Sequence, residues 1–539
     1  VTSVAAKAAA PAQGATVVLL TLAAGQFLMT LDSSVMNVSI ATVAKDVGTT
    51  VTGIQGAITA YTLVMAALMI TGAKVGAIIG RKRAFAIGCV IYGCGSFTTS
   101  IAPSLPVLFF GWSFLEGVGA ALIMPAIVAL VAGNFDAPRR PAAYGAVAAA
   151  GAIAVAAGPL IGGFCTTYFS WRWVFAGEVL VVIAILLLTR RIADAPPERR
   201  PTLDYVGAVL SAAGLGLLVF GVLRTGEWGW IQPKPEGPSW AGLSPSVWLV
   251  LAGIVVIWLF FRWGERLESK GGEPLIRSDM RGNRQLSGGL SMFFFQFLAQ
   301  AGLFFVVPLY LSVCLGLSAI GTGARLLPLS LTLLLAALGI PRLFPKASPR
   351  LVVRAGLIAL IAGTLVLMAG LDLDAGPEIV FVPMLLIGLG IGALASQLGA
   401  VTVGAVPDDQ STEVGGIQNT ATNLGASLGT AIAGSIMIAA VAASFVANIQ
   451  QSPAIPPEAK SQAAVEIAGG VPFISDADLQ EGLKKAGASS TTTQAALDAY
   501  SDARLDGLRS SLAILALLTL VALFLAQRIP RAQPQSTPA

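Results

Sequence analysis

Histidine is absent from this chain of 539 residues, cysteine occurs four times, and only 11% of the residues are charged. Each shortage excludes something. Without histidine the commonest metal ligand and general base are missing, and no other paired metal-ligand spacing or nucleophile–base signature is present, which argues against an enzyme and against a resident metal. The four cysteines, Cys89, Cys94, Cys165 and Cys314, all lie in apolar runs. There they read as small buried hydrophobes rather than as a disulfide framework. No Gly-Lys pair occurs anywhere, so the phosphate-cradling loop G-x-x-x-x-G-K-[ST] is missing and direct use of ATP is disfavoured. No cofactor is expected. A soluble chain carries about a quarter charged residues; with 55% hydrophobic residues and a mean hydropathy of +0.80, the solvent of this one is lipid.

What is present confirms the choice of solvent. A membrane-spanning helix needs about 20 mostly apolar residues. Fourteen such runs are predicted, near 16–42, 54–76, 84–102, 105–132, 142–168, 173–190, 204–223, 246–262, 287–310, 320–341, 351–371, 378–399, 414–445 and 509–527. Many are rich in Gly and Ala, which lets helix backbones approach closely in lipid. They are too long for barrel strands and lack a period of two. The N-terminal stretch carries a single Lys7 and no cleavage-type signal, so the first apolar run is expected to be retained.

The net charge of +5 has a topological reading. With the N-terminus in the cytoplasm, the inward loops hold Arg81, Lys82 and Arg83; Arg139 and Arg140; Arg190, Arg191, Arg199 and Arg200; Arg262 to Arg284; and Arg342 to Arg354. The C-terminal tail adds Arg528 and Arg531, whereas the short outward loops hold only Lys45, Arg172, Arg224 and Lys234. Basic residues favour the cytoplasmic side, so an even number of spans in the cell's inner membrane is expected, with both termini cytoplasmic. A nucleic-acid partner is not. One outward segment, 446–508, is long, polar and Pro-containing, with helix-like stretches at Ala464–Ile467 and Thr493–Leu508. It suits a structural cap or an extracellular gate.

Ionisable residues inside spans are costly and therefore candidates for function. Four are present: Asp32, Glu116, Glu178 and Arg325. Asp32 and Glu178 are expected in the outer half of the membrane at similar depth, and Glu116 nearer the centre. Burial disfavours ionisation of a carboxyl and hydration restores it, a cycle that can tie protonation to a conformational change or to release of a cation. Each acid has the alternative of simply pairing with a polar neighbour to fix helix packing. Arg325 would neutralise an acid or line a cavity. Gln26, Asn37, Gln55, Tyr61, Phe295, Gln296, Gln300 and Tyr310 are further polar or aromatic residues within spans, candidates for cavity lining or for gluing helices together.

Several ordered motifs carry a resemblance. Leu31-Asp32-Ser33-Ser34-Val35-Met36-Asn37-Val38-Ser39-Ile40-Ala41 in the first span is similar to the L-D-x-T-V-x-N-V-A-L-P signature of 14-spanner drug/proton antiporters of the major facilitator superfamily. The loop with Gly72, Gly76, Gly80, Arg81 and Lys82 resembles that superfamily's G-x-L-x-D-R-x-G-R-R. Gly158-Pro159-Leu160-Ile161-Gly162-Gly163 matches the antiporter motif G-P-x-x-G-G, whose small residues suit packing against span 8 or the opposite half. Trp171-Arg172-Trp173-Val174-Phe175, Leu203-Asp204-Tyr205-Val206-Gly207, Pro308-Leu309-Tyr310-Leu311, Arg325-Leu326-Leu327-Pro328 and the Gly415–Gly429 region continue the likeness in order. Four positions depart from it. Ala77 stands where the loop has an acid, Ser113 and Glu116 replace Arg and Gln of the span-4 motif, and Glu178 stands where Asn is usual. Glu116 and Glu178 then either replace the missing coupling chemistry, or this branch uses another stoichiometry or driving ion.

The resemblance implies an all-α integral membrane protein of the major facilitator fold: a six-helix bundle over 1–190, a linker with two extra spans over 191–284, and a second six-helix bundle over 285–539. The implied function is export of small amphipathic compounds, cationic ones included, by a monomer exchanging them for protons, with Asp32, Glu116 and Glu178 as the coupling or cation-binding acids. A dedicated exporter of one metabolite or lipid, and a non-transporting receptor or scaffold, are the alternatives.

Overall fold

The computed structural model describes residues 12–136, 139–194, 202–234, 237–406, 411–453, 455–457, 460, 473–485 and 488–532. Lys7, Arg199, Arg200 and the stretch Ala464–Ile467 lie outside the described residues. Fourteen long helices follow one another: α1 Ala12–Asp46, α2 Val51–Ile79, α3 Arg81–Ser100, α4 Leu105–Asn134, α5 Arg140–Tyr168, α6 Arg172–Thr189, α7 Tyr205–Trp228 and α8 Pro245–Ser269, then α9 Arg284–Cys314, α10 Ala319–Leu343, α11 Pro349–Gly370, α12 Pro377–Val403, α13 Ser411–Gln451 and α14 Ser490–Leu525. Among the described residues the strand-like pairing is limited to an isolated bridge between Trp240 and Leu243. Thirteen of these helices are long and apolar enough to cross a membrane by length and composition. The remaining one, α3, begins with three basic residues and is rich in Gly, Ser and Thr, which lowers its hydropathy, but it packs within the same bundle.

Local chemistry sets the helix ends. Thr50, Asp204, Asn283, Ser318 and Ser489 each accept a backbone N–H from the first turn of the helix they precede, which satisfies a donor that the helix itself cannot. Pro245 and Pro349 begin α8 and α11, where a missing N–H costs nothing. Between α2 and α3 the chain turns on Gly80 alone, at φ 102°, a conformation that L side chains rarely adopt.

Helices α1–α6 pack among themselves, and so do α9–α14, while α7 and α8 pair with each other and α7 rests on α2 and α13. The two halves meet chiefly along α2–α13 and α5–α10. The polar segment 446–508 lies on the second half: α13 and α14 both extend well past a membrane thickness, at about 60 and 54 Å for 41 and 36 residues. Between them sits the short helix Asp476–Lys485. The fully buried Arg504 ties it down by pairing with Asp476 and donating to the Ile474 carbonyl at 3.0 Å. Phe445 packs edge-on to Tyr500, 5.1 Å between ring centres. The described part of this segment is thus a packed cap over α13 and α14, and the final helix starts at Ser490, well before the apolar run expected from sequence.

Candidate functional site

Three acids converge in the first half. Asp32 on α1, Glu116 on α4 and Glu178 on α6 are 0, 0 and 2% exposed. Each offers a carboxylate oxygen, and the three oxygens lie within 4.8 Å of one another. The sequence-based expectation that Glu116 lies deeper than the other two is therefore corrected. Its position follows from the backbone of α4, which widens into π-helical turns over Phe109–Glu116 and brings Trp112, Ser113 and Glu116 all inward. Such turns commonly mark functional positions in membrane and soluble helices alike.

Glycines make the room. On α3, a β-carbon at Gly95 would lie 2.6 Å from Glu116 Cγ and 2.7 Å from the Gly111 carbonyl oxygen, so α3 and α4 touch backbone to backbone. Gly95→Leu is expected to destabilise the purified protein by about 2 kcal/mol or more, since neither helix can retreat without losing its partner. Thermal unfolding in detergent reads this, with Gly216→Leu on α7, where nothing lies within 4 Å, as the variant expected to show no change.

The hydrogen bonds around the acids come from neutral groups. Trp112 Nε1 donates to both Asp32 oxygens at 2.8 and 3.0 Å. Tyr92 and Ser96 donate to Glu178 Oε2 at 3.1 and 3.2 Å, and Thr99 donates to Glu116 Oε1 at 3.2 Å. Glu116 Oε2 and Glu178 Oε1 are buried without a partner. Among the described residues no Lys or Arg pairs with any of the three. Chemically the trio can share protons or hold a cation. Trp112, Tyr92, Ser96 and Thr99 were not among the residues singled out from sequence. They are neutral residues within spans, and no sequence signal separates them from packing residues.

A cavity of about 500 Å³ lies between the halves, next to this cluster but separate from it. Gln26, Asn37, Tyr61, Gln296 and Gln300 line it, together with residues that sequence reasoning did not assign to a cavity, chiefly Gln418, Asn419, Asn423, Phe293, Phe297 and Phe304. The acids do not reach it. Tyr61 and Trp112, stacked at 5.1 Å with ring planes 10° apart, form the partition between cavity and cluster. Four expected lining residues lie elsewhere. Gln55 is buried between the halves, donating to the Thr430 carbonyl at 2.9 Å and resting on Gly434, where a β-carbon would collide with it. Phe295 faces away because the cavity side of α9 runs through 293, 297, 300 and 304. Tyr310 is spent on the Asp372 carbonyl at 2.7 Å. Arg325 is exposed in the first turns of α10 and meets none of the acids.

The glycine motifs that carry the resemblance are placed as contacts between helices. Gly158 and Gly162 face Ser34 and Val35 of α1, while Gly163 faces the Ala319 carbonyl of α10, 2.6 Å from where its β-carbon would stand. In return, Gly323 of α10 lies against the carbonyl of Pro159. The small-residue face of α5 thus meets α1 and the opposite half, and among the described residues makes no extended contact with α8. At the end of the bundle carrying the termini, Gly72 packs on Ala121 of α4 and Gly76 on Ala84. Arg81 and Lys82 open α3, whose first turn is capped by Asp194: its Oδ1 accepts the Lys82 N–H at 3.1 Å. This acid, from the loop after α6, stands near the motif that Ala77 leaves without one. Lys74 reaches across the halves to Glu413 at 2.9 Å.

A model of the Major Facilitator Superfamily matches residues 22–430. The chain is 30% identical over 443 residues to the puromycin resistance protein pur8 of Streptomyces alboniger, covering 81% of this chain and 84% of that one. It is 27% identical to the tetracenomycin C resistance and export protein of Streptomyces glaucescens, covering 78% and 76%, and 25% identical to the multidrug resistance protein Stp of Mycobacterium tuberculosis H37Rv, covering 83% and 81%. Among solved structures, an inward-facing, unoccupied bacterial homologue of the human lysosomal transporter Spinster superposes with a TM-score of 0.59 at 14% identity, covering 98% of this chain and all of that one. The human organic anion transporter MFSD10 superposes with a TM-score of 0.56 at 14% identity, covering 96% and 100%. At these identities the structures speak to the fold alone.

Proposed function

The chain belongs to the Major Facilitator Superfamily, and on that premise we propose that it is an exporter of small amphipathic molecules driven by proton antiport, with its termini in the cytoplasm. The names of its relatives, resistance and export proteins for several antibiotics, support the direction of transport. The observation that carries the coupling is the trio Asp32, Glu116 and Glu178 within 4.8 Å, with no Lys or Arg partner among the described residues and against the wall of the cavity. At an effective dielectric of about 20, each ionised pair at that spacing repels by about 3 kcal/mol. Sealed in apolar surroundings the trio holds protons, and on meeting water it releases them.

Substrate enters the cavity from the cytoplasmic side and displaces the Tyr61–Trp112 partition, which loosens the Trp112 bond to Asp32. The cluster hydrates and loses protons to the cytoplasm. Rocking of the halves then exposes cavity and cluster to the other side, the usual route for a site lying between two bundles. There the substrate leaves and protons return.

Proteoliposomes with an interior pH dye test this. A lipophilic cation and an uncharged aromatic compound are each presented under an imposed pH gradient to the wild type, Asp32→Asn, Glu116→Gln and Glu178→Gln. Coupled fluxes in the wild type, lost in at least one variant, are expected. Compound moving without protons in every variant would remove the proton from the mechanism. No movement of either compound would favour a dedicated exporter or a scaffold.

A further inference from the structure

We infer that the substrate of this cavity is uncharged: an aromatic or conjugated molecule carrying hydroxyl or N–H donors, held by carboxamides rather than by ion pairing. This rests on the exporter reading and deepens it. Among the described residues no Asp, Glu, Lys or Arg lines the cavity, although its lining is polar at many points. A cation entering it would lose hydration with no opposite charge to replace it, and burying an unpaired charge is far costlier than burying a hydrogen-bonded neutral group. The acids that would supply the charge lie behind the stacked Tyr61 and Trp112, and Asp32 already spends both oxygens on Trp112.

What the lining offers instead is acceptors. Gln296 is 2% exposed, lines the cavity, and its Oε1 has no hydrogen-bond partner. A buried carbonyl oxygen left unpaired costs about 1–3 kcal/mol, so the position is made for a donor that arrives with the ligand. Asn37 and Asn423 each give one Nδ2 hydrogen to the carbonyl one turn back on their own helix, at 2.8 and 2.9 Å, which leaves the Oδ1 as an acceptor, beside the second amide hydrogen, for a ligand. Phe293, Phe297 and Phe304 place aromatic side chains along the cavity beside these acceptors. Three acceptors and an aromatic wall suit a planar molecule bearing hydroxyls.

The consequence is electrical. Exchange of an uncharged molecule for protons moves net charge in every cycle, so transport responds to the membrane potential as well as to the pH gradient. A monovalent cation exchanged for one proton moves none.

Three probes share one scaffold and differ in charge: methylumbelliferyl glucoside, uncharged; methylumbelliferyl glucosaminide, carrying an ammonium; and methylumbelliferyl glucuronide, carrying a carboxylate. Binding to the purified full chain is measured by equilibrium dialysis, which is independent of coupling. The glucoside is expected to bind at least about tenfold more tightly than either charged probe. Gln296→Leu is expected to weaken the glucoside about tenfold, and Gln296→Glu to bring the ammonium probe up to or above the glucoside. Glucosaminide binding equal to or tighter than glucoside in the wild type, or no binding of the glucoside, overturns the inference and leaves the exporter reading standing. Proton-driven currents on supported membranes separate the two: glucoside that binds and crosses without current removes proton antiport and leaves the substrate class intact.

Discussion

Gly323→Leu is expected to abolish export while leaving the protein folded. Gly323 of α10 lies against the Pro159 carbonyl of α5, and Gly163 of α5 against the Ala319 carbonyl of α10. The N–H of Ile320 also donates to Thr167 Oγ1 at 3.1 Å, so the halves are in backbone contact over two turns near the end of the bundle opposite the termini. A leucine here cannot be absorbed by a flexible neighbour, because the obstacle is a main-chain carbonyl. Overpacking at such a seam costs about 1–3 kcal/mol. The same amount shifts a two-state equilibrium by about fivefold to a hundred-and-fiftyfold. The leucine penalises only the state in which this seam is shut, so it drives the molecule toward the state in which it is open. Export below about a tenth of wild type is expected. So is a matching gain in labelling of Asn37→Cys by an impermeant maleimide added from the outer side, read above the native cysteines. Normal export from Gly323→Leu would mean that the α5–α10 seam does not open during transport.

The second large effect concerns stability and function together. The triple variant Asp32→Asn, Glu116→Gln, Glu178→Gln is expected to unfold at the same temperature as the wild type or higher, and to lose uphill transport by at least about a hundredfold. Burying ionisable groups without an opposite charge costs free energy, and neutral replacements of the same shape commonly stabilise. The amides keep acceptors for Trp112, Tyr92, Ser96 and Thr99. They remove the capacity to take up and release protons. Thermal unfolding and proton-driven flux on the same preparation decide the matter. A fall of several degrees with flux retained would make the trio a packing device. That outcome would end the coupling role proposed for it.

Much of this architecture is legible without coordinates. Apolar runs of spanning length stand out, and the basic loops between them alternate with sparse ones. Ionisable residues in spans are so rare that Asp32, Glu116 and Glu178 identify themselves. The residues that organise them do not. Trp112, Tyr92, Ser96 and Thr99 are ordinary constituents of membrane helices, and only their distances to the carboxylates distinguish them. Phe295 and Phe293 are indistinguishable in a run of aromatics until the rotation of α9 is known. Gln55 reads as a cavity residue until Gly434 on another helix is seen to accommodate it. The depth of Glu116 escapes a count of residues because the π-turns of α4 break the regular rise on which such a count depends.

Composition and spacing alone therefore determined the solvent, the number of helices and the identity of the buried acids, since a charged group in lipid is expensive wherever it sits. The tertiary structure alone decided that the three acids share one site, that this site is walled off from the cavity by Tyr61 and Trp112, and that carboxamides line the cavity. Those facts depend on helix rotation and close approach between distant segments, which glycine backbone contacts set and which no single helix encodes.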